Sequence, residues 1–170
     1  MSDLYLEELI ERKRTGKDKA VCIGMTLITV ICLLGFVATF NFLLLVPFTV
    51  LCIADYFIFP KTYIEWEYQY VSGELDVDRI IRKMKRKRMA SYEIVNAEII
   101  APVNSHRMDF YNKNDKIKVV DYTSCDPERK DKIYAMIVPV DGEMNKILFE
   151  PSEEMTRDMK TKAPRKVFFD

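Results

Sequence analysis

Seven basic side chains, Arg79, Arg82, Lys83, Lys85, Arg86, Lys87 and Arg88, crowd one short segment, the most polarised in the chain outside its apolar stretches. Beside a cytoplasmic bilayer surface such a cluster attracts anionic lipid headgroups, at about 1 kcal/mol for each side chain near the surface. The same residues also read as a solvated hairpin tip whose charges pair with the chain's own Asp and Glu side chains. Both readings stand open at the level of sequence. Nucleic acid is a poor match, because Lys+Arg and Asp+Glu balance at 26 each and the aromatic residues fall on the expected core face rather than among the bases.

Catalytic chemistry finds little material. His106 is the single imidazole, and Ser105 and Asp109 lie near it, but adjacency in sequence does not supply the spatial convergence that a serine triad needs. No phosphate-cradling glycine motif, nucleophile elbow or HExxH element is present, and five glycines leave little from which to build one. Asp121, Asp126, Glu128 and Asp131, in and around SCDPERKDK, read as a polar connection between strands, although paired acids could hold a cation. With one histidine and no CxxC, no metal and no cofactor is expected. Cys22, Cys32 and Cys52 lie in apolar stretches, where a thiol acts as a small hydrophobe, and only Cys125 is expected to be exposed, so no disulfide framework is read. The expectation is a protein that is not an enzyme.

The elements that must position these residues fall into three blocks: an arm over residues 1–19, two apolar helices over 20–40 and 42–60, and a domain over 61–170. Residues 20–40 carry no charge and, at about 1.5 Å per residue, reach the roughly 30 Å of a bilayer core. Residues 42–60 are long enough for a second crossing, interrupted only by Pro47 and Asp55. A neighbouring helix can satisfy the carbonyl freed by Pro47. A cleavable leader would have a shorter apolar core, of about 7 to 15 residues. Arg12, Lys13, Arg14, Lys17 and Lys19 precede the first helix, while the connection at 38–41 has no Lys or Arg, which places both termini on the cytoplasmic side of the cell (inner) membrane. Asp55, a turn or so from Pro60, is read as an interfacial carboxylate rather than part of a transport path.

The arm SDLYLEELIERKR is expected to be a short amphipathic helix started by Ser2 or Asp3, serving either as an interfacial or partner-binding helix or as a lid on the chain's own domain. After Lys61 the period changes to two, with Ile64, Trp66, Tyr68 and Tyr70 alternating with polar residues, the pattern of a half-buried strand. Ser72-Gly73 turns the chain into a partner strand, and further strands are expected over 92–101, 117–122, 133–138 and 146–149, the last two joined across Asp141-Gly142. Ser152 caps a closing helix over 152–163, with Met155, Met159 and Ala163 spaced by four. The fold class is therefore α+β: a transmembrane helical hairpin followed by a small antiparallel β domain closed by a C-terminal helix.

The order of GELDVDRI, a basic stretch, EIVNAEIIAP and a closing helix is similar to bacterial pleckstrin-homology-like (PH-like) domains, which implies a barrel or sandwich. The whole chain resembles a family of small two-helix membrane proteins from clostridial-type bacteria, through RKRTGKD, GELDVDRII, KRKRM, FEPSEEM and APRKVF. No activity follows from that resemblance. The expected function is a two-pass membrane protein with a cytosolic module for interaction or anionic-lipid contact. The alternative is an assembly subunit that packs against other membrane proteins and has no ligand of its own.

Overall fold

A computed structural model describes residues 4–169. They form two compact units, one of residues 13–64 and the other joining the chain up to Arg12 with residues 65–170.

The first unit is a helical hairpin. Helix α1 (Gly16–Thr39) starts at a capping box: Thr15 Oγ1 accepts from the Asp18 backbone N–H at 3.3 Å, and the Asp18 carboxylate accepts from the Thr15 N–H at 3.0 Å. The helix thus begins at Gly16, four residues before the apolar run that starts at Ala20. Phe40 closes it in the left-handed conformation, Asn41 caps a 3₁₀ turn (Phe42–Leu44), and α2 (Leu45–Ile58) returns. Pro47 falls in the first turn of α2, where its missing N–H would have had no intrahelical partner, so no neighbour is needed to accommodate it. A second 3₁₀ turn (Phe59–Thr62) follows. Gly16–Thr39 is long and apolar enough to cross a membrane, and Phe42–Ile58 is a shorter apolar helix. Thr26, Thr29, Thr39 and Thr49 turn their hydroxyls back onto the carbonyls four residues earlier, which leaves the helix sides apolar.

The second unit contains two four-stranded sheets. In the first, β1 (Tyr5–Glu11), β2 (Ile64–Val71), β3 (Glu74–Ile81) and β4 (Lys85–Glu93) lie in sequential order. The arm is thus a strand and not a helix. Leu6 and Ile10 face inward while Tyr5, Glu7, Leu9 and Glu11 face out, and pairing with β2 overrides the helix propensity of Leu and Glu. Ser2 and Asp3 lie outside the described residues. Because Glu11 pairs with Glu65, the helical hairpin is an insertion between two adjacent strands, and the β unit is not confined to 61–170.

The second sheet has the order β5 (Ile99–Pro102), β7 (Tyr134–Val140), β8 (Glu143–Phe149), β6 (Lys118–Asp121), with β6 parallel to β8. The segment expected as one strand over 92–101 is interrupted by a 3₁₀ turn at Ile94–Asn96. Asp141 and Gly142, both at positive φ, make the expected β7–β8 turn. Between β5 and β6 lies a single helical turn, α3 (Asp109–Asn112). Tyr68 and Tyr70 are fully buried along with Leu75, Val77, Ile137, Ile147 and Phe149. The Tyr68 and Phe149 rings meet edge to face at 6.3 Å, so the inner faces of the two sheets share one core. Helix α4 (Glu153–Lys162), capped by Ser152, buries Met155 and Met159 at the predicted spacing of four. The residues after it run beside β5, where Phe168 N–H donates to the Ile100 carbonyl at 2.8 Å.

Candidate functional site: the cationic β3–β4 hairpin

The basic run is itself a strand and a turn. Arg82 and Lys83 both adopt positive φ, and Met84 N–H donates to the Ile81 carbonyl at 3.2 Å, so a three-residue connection, Arg82 to Met84, joins β3 to β4. Neither positive-φ residue is glycine; backbone strain is accepted where two cations are presented. Met84 is 85% exposed beside them.

Alternation along β4 then divides the remaining charges between two faces. Arg86 and Arg88 project over the outer face of the sheet. There Arg86 pairs with Glu67 and, through Nε at 2.6 Å, with Asp78, while Arg88 reaches Asp76 at 2.5 Å and Asp78 at 3.6 Å. Glu67 and Asp78 are only 4% and 5% exposed, so these two arginines neutralise carboxylates that would otherwise sit desolvated. Burial raises the Glu67 carboxyl above its ordinary range and the hydrogen bond it donates to Glu7 adds to this, while the bonds Glu7 accepts from Tyr5 and Glu67 hold Glu7 low. On this face the run is structural. Arg79, Lys85 and Lys87 occupy the other set of positions, with Arg79 opposite Lys87, and Lys85 and Lys87 are exposed. A bulge at Val77/Asp78 skips Met89 and reinforces the local twist.

The strand order places the turn. In a sequential antiparallel sheet the β1–β2 and β3–β4 connections leave from the same end, opposite to Ser72-Gly73. Lys83 Nζ lies 3.7 Å from Glu65, the residue at which the chain re-enters the sheet. The cationic tip and the two ends of the chain that run into the helical hairpin therefore share one edge of the β unit.

Other candidates are not assembled into a catalytic arrangement. His106 is fully exposed, 3.5 Å from Asp109, and Ser105 Oγ accepts from the Arg107 N–H in a local cap. Asp121 caps Thr123 and Asp126 caps Glu128, which accounts for these acids as turn formers. Among the described residues no three His, Cys, Asp or Glu side chains converge to hold a metal ion, and the four cysteines are free. Asp55, beside Tyr56 and Phe57 near the end of α2, accepts from Thr29 Oγ1 at 2.9 Å on the opposite helix, and its other oxygen is shielded without a hydrogen-bond partner. In an antiparallel pair the level of a residue is set by its distance from the connecting turn, and Asp55 and Thr29 are each ten residues from the inner helix ends, Leu45 and Thr39.

Sequence reading also missed Glu150. Its Oε1 accepts from Ser124 N–H at 2.7 Å and Ser124 Oγ at 2.6 Å, and Arg129 Nε lies 3.3 Å from Oε2, all within the β unit. No motif announces it, since the partners come from a loop and a strand end.

No curated protein and no solved structure matches the chain. The family described as bacterial PH-like domain (DUF6106) matches it over residues 2–169, which takes in the helical hairpin as well as both sheets and α4. The chain therefore belongs to this bacterial PH-like domain family.

Proposed function

We propose that this chain is a non-enzymatic, two-pass protein of the cell (inner) membrane, with both termini cytoplasmic, whose PH-like unit contacts anionic lipid through the β3–β4 tip. The observation that carries the reading is the position of Arg82, Lys83 and Met84 at the edge of the sheet where Glu11 and Glu65 lead into the helical hairpin. A 24-residue α1 measures about 36 Å against a bilayer core of about 30 Å. None of its residues is buried within the protein. Arg12, Lys13, Arg14, Lys17 and Lys19 lie on one side and no Lys or Arg lies in the connecting turn, which favours cytoplasmic termini.

Of the seven bases, Arg82, Lys83, Lys85 and Lys87 suit lipid contact best by their exposure around Met84, whereas Arg86 and Arg88 hold Glu67, Asp76 and Asp78. The test is hydrogen exchange on the full chain in nanodiscs of phosphatidylcholine with and without phosphatidylglycerol. Slower exchange at the β3–β4 turn only with the anionic lipid supports the reading; equal exchange in both overturns it. Extraction of the chain by carbonate overturns the membrane placement itself.

A second reading, an assembly subunit in contact with other membrane proteins, is favoured by Asp55, whose shielded second oxygen has no hydrogen-bond partner in the hairpin. Co-purification from native membranes tests it: a membrane partner lost on Asp55→Ala supports it, and recovery of the chain alone argues against it.

A further inference from the structure

We infer that the helical hairpin carries its own site for one anionic phospholipid, with an acyl chain in a groove beside α1 and the phosphate on Arg14. This rests on the membrane placement proposed above but not on the β3–β4 tip.

A groove of about 330 Å³ runs along α1, walled by Cys22, Ile23, Thr26, Leu27 and Phe59, with Arg14 at its mouth. The α1 residues recur at i, i+1, i+4 and i+5, so they form one face and line about 7.5 Å of helix. Thr26 spends its hydroxyl on the Cys22 carbonyl at 2.9 Å, which leaves the wall without a free polar group and suited to methylenes. The mouth is different in kind. The Arg14 guanidinium stacks 3.8 Å above the centre of the Tyr63 ring, and its Nε is shielded from solvent without a hydrogen-bond partner. Stacking fixes the plane of the guanidinium and so lowers the entropy lost when its donors engage a planar or tetrahedral oxyanion. An orientated, under-bonded cation at the end of an apolar channel is complementary to an amphiphile with a negative head: the phosphodiester takes the donors and one chain takes the groove. A free phosphate would meet only the mouth and a neutral lipid only the wall.

The test uses the full chain, released from vesicles of equal phosphatidylglycerol and phosphatidylcholine, with retained lipids weighed by native mass spectrometry. The wild type should retain phosphatidylglycerol about fivefold over phosphatidylcholine, the selectivity of one well-placed cation. Arg14→Gln should bring the two to parity, Arg14→Lys should fall between, and Thr26→Phe, which fills the groove from its lipid-facing side, should lower retention of both. Parity in the wild type, or selectivity that survives Arg14→Gln, overturns the inference. Displacement of the lipid by excess inorganic phosphate alone also overturns it, because the groove would then contribute nothing. Replacing Arg82, Lys83, Lys85 and Lys87 by Gln should leave this selectivity intact; if that variant alone abolishes it, the lipid belongs to the β3–β4 tip and not to Arg14. A chain that is carbonate-extractable refutes the membrane placement, whereas a carbonate-resistant chain without selectivity refutes only the present site.

Discussion

Two charge variants of the same short run should fail in opposite ways. Arg86→Gln withdraws the cation shared by Glu67 and Asp78, carboxylates exposed by only 4% and 5%. Stripping a buried ion pair of one partner costs about 3–5 kcal/mol, and because the Arg86 side chain is itself 46% exposed, solvent screening reduces this to about 2 kcal/mol. For a unit of this size that lowers the midpoint of thermal unfolding by about 10 °C. Replacing Arg82, Lys83, Lys85 and Lys87 together by Gln leaves the Arg86 and Arg88 pairs to Glu67, Asp76 and Asp78 in place, so the midpoint should stay within about 3 °C. If half of those four cations face headgroups, their loss removes about 2 kcal/mol of lipid attraction, roughly thirtyfold in the exchange protection of the turn. Circular dichroism on heating and hydrogen exchange in phosphatidylglycerol nanodiscs read the two effects separately on the full chain. The reasoning is refuted if Arg86→Gln unfolds with the wild type, or if it loses lipid-dependent protection as fully as the four-site variant does.

Other consequences follow from the same geometry. Since Glu11 pairs with Glu65, replacing residues 12–64 by Asn-Gly should yield a water-soluble, folded β unit, whereas a fragment of residues 61–170 should aggregate with β2 as a bare edge; size-exclusion chromatography separates the outcomes. Tyr68→Phe should cost about 2 kcal/mol in denaturant unfolding, because its hydroxyl both donates to the Tyr122 carbonyl at 2.7 Å and accepts from the Glu150 N–H at 3.3 Å in the core. Burial and the Glu98 hydrogen bond push the Tyr111 hydroxyl up to about 12 from an ordinary 10.0, so the folded state keeps a proton that the unfolded state loses. Stability should be level below pH 10 and fall between about pH 10 and 12, tracked by unfolding against tyrosinate absorbance. Thr29→Val should weaken the hairpin by only about 0.6 kcal/mol in detergent, the usual worth of such an interhelical bond.

Most of the β unit was legible from alternation. Trp66, Tyr68 and Tyr70, the Asp141-Gly142 turn and the Met155/Met159 spacing each use a local period or turn chemistry that survives in the fold. The errors share one cause, tertiary pairing that local composition does not encode. Leu and Glu in residues 5–11 favour a helix, yet a partner strand more than fifty residues away decides the matter. Lys85–Glu93 lacks apolar alternation because its outward face is set against the acids of β2 and β3, so it read as a charge run rather than a strand. The division of that run into committed and exposed cations depends on register and a bulge, and neither is visible without the partner strand. Thr15 and Asp18 did carry a readable signal, the capping box, and it starts α1 ahead of the apolar residues.

The insertion of the helical hairpin between β1 and β2 also orders events during synthesis. Residues of β1 emerge first but have no partner until the chain has passed through fifty-three intervening positions, from Arg12 to Ile64, and delivered Glu65. On the membrane placement proposed above, that delivery requires two completed crossings: a chain that crossed once would strand β1 and β2 in different compartments. Closure of the first sheet is then a checkpoint on insertion, in which a correctly threaded hairpin is ratified by a folded cytoplasmic unit and a misthreaded one is left with an unpaired strand for quality control to find.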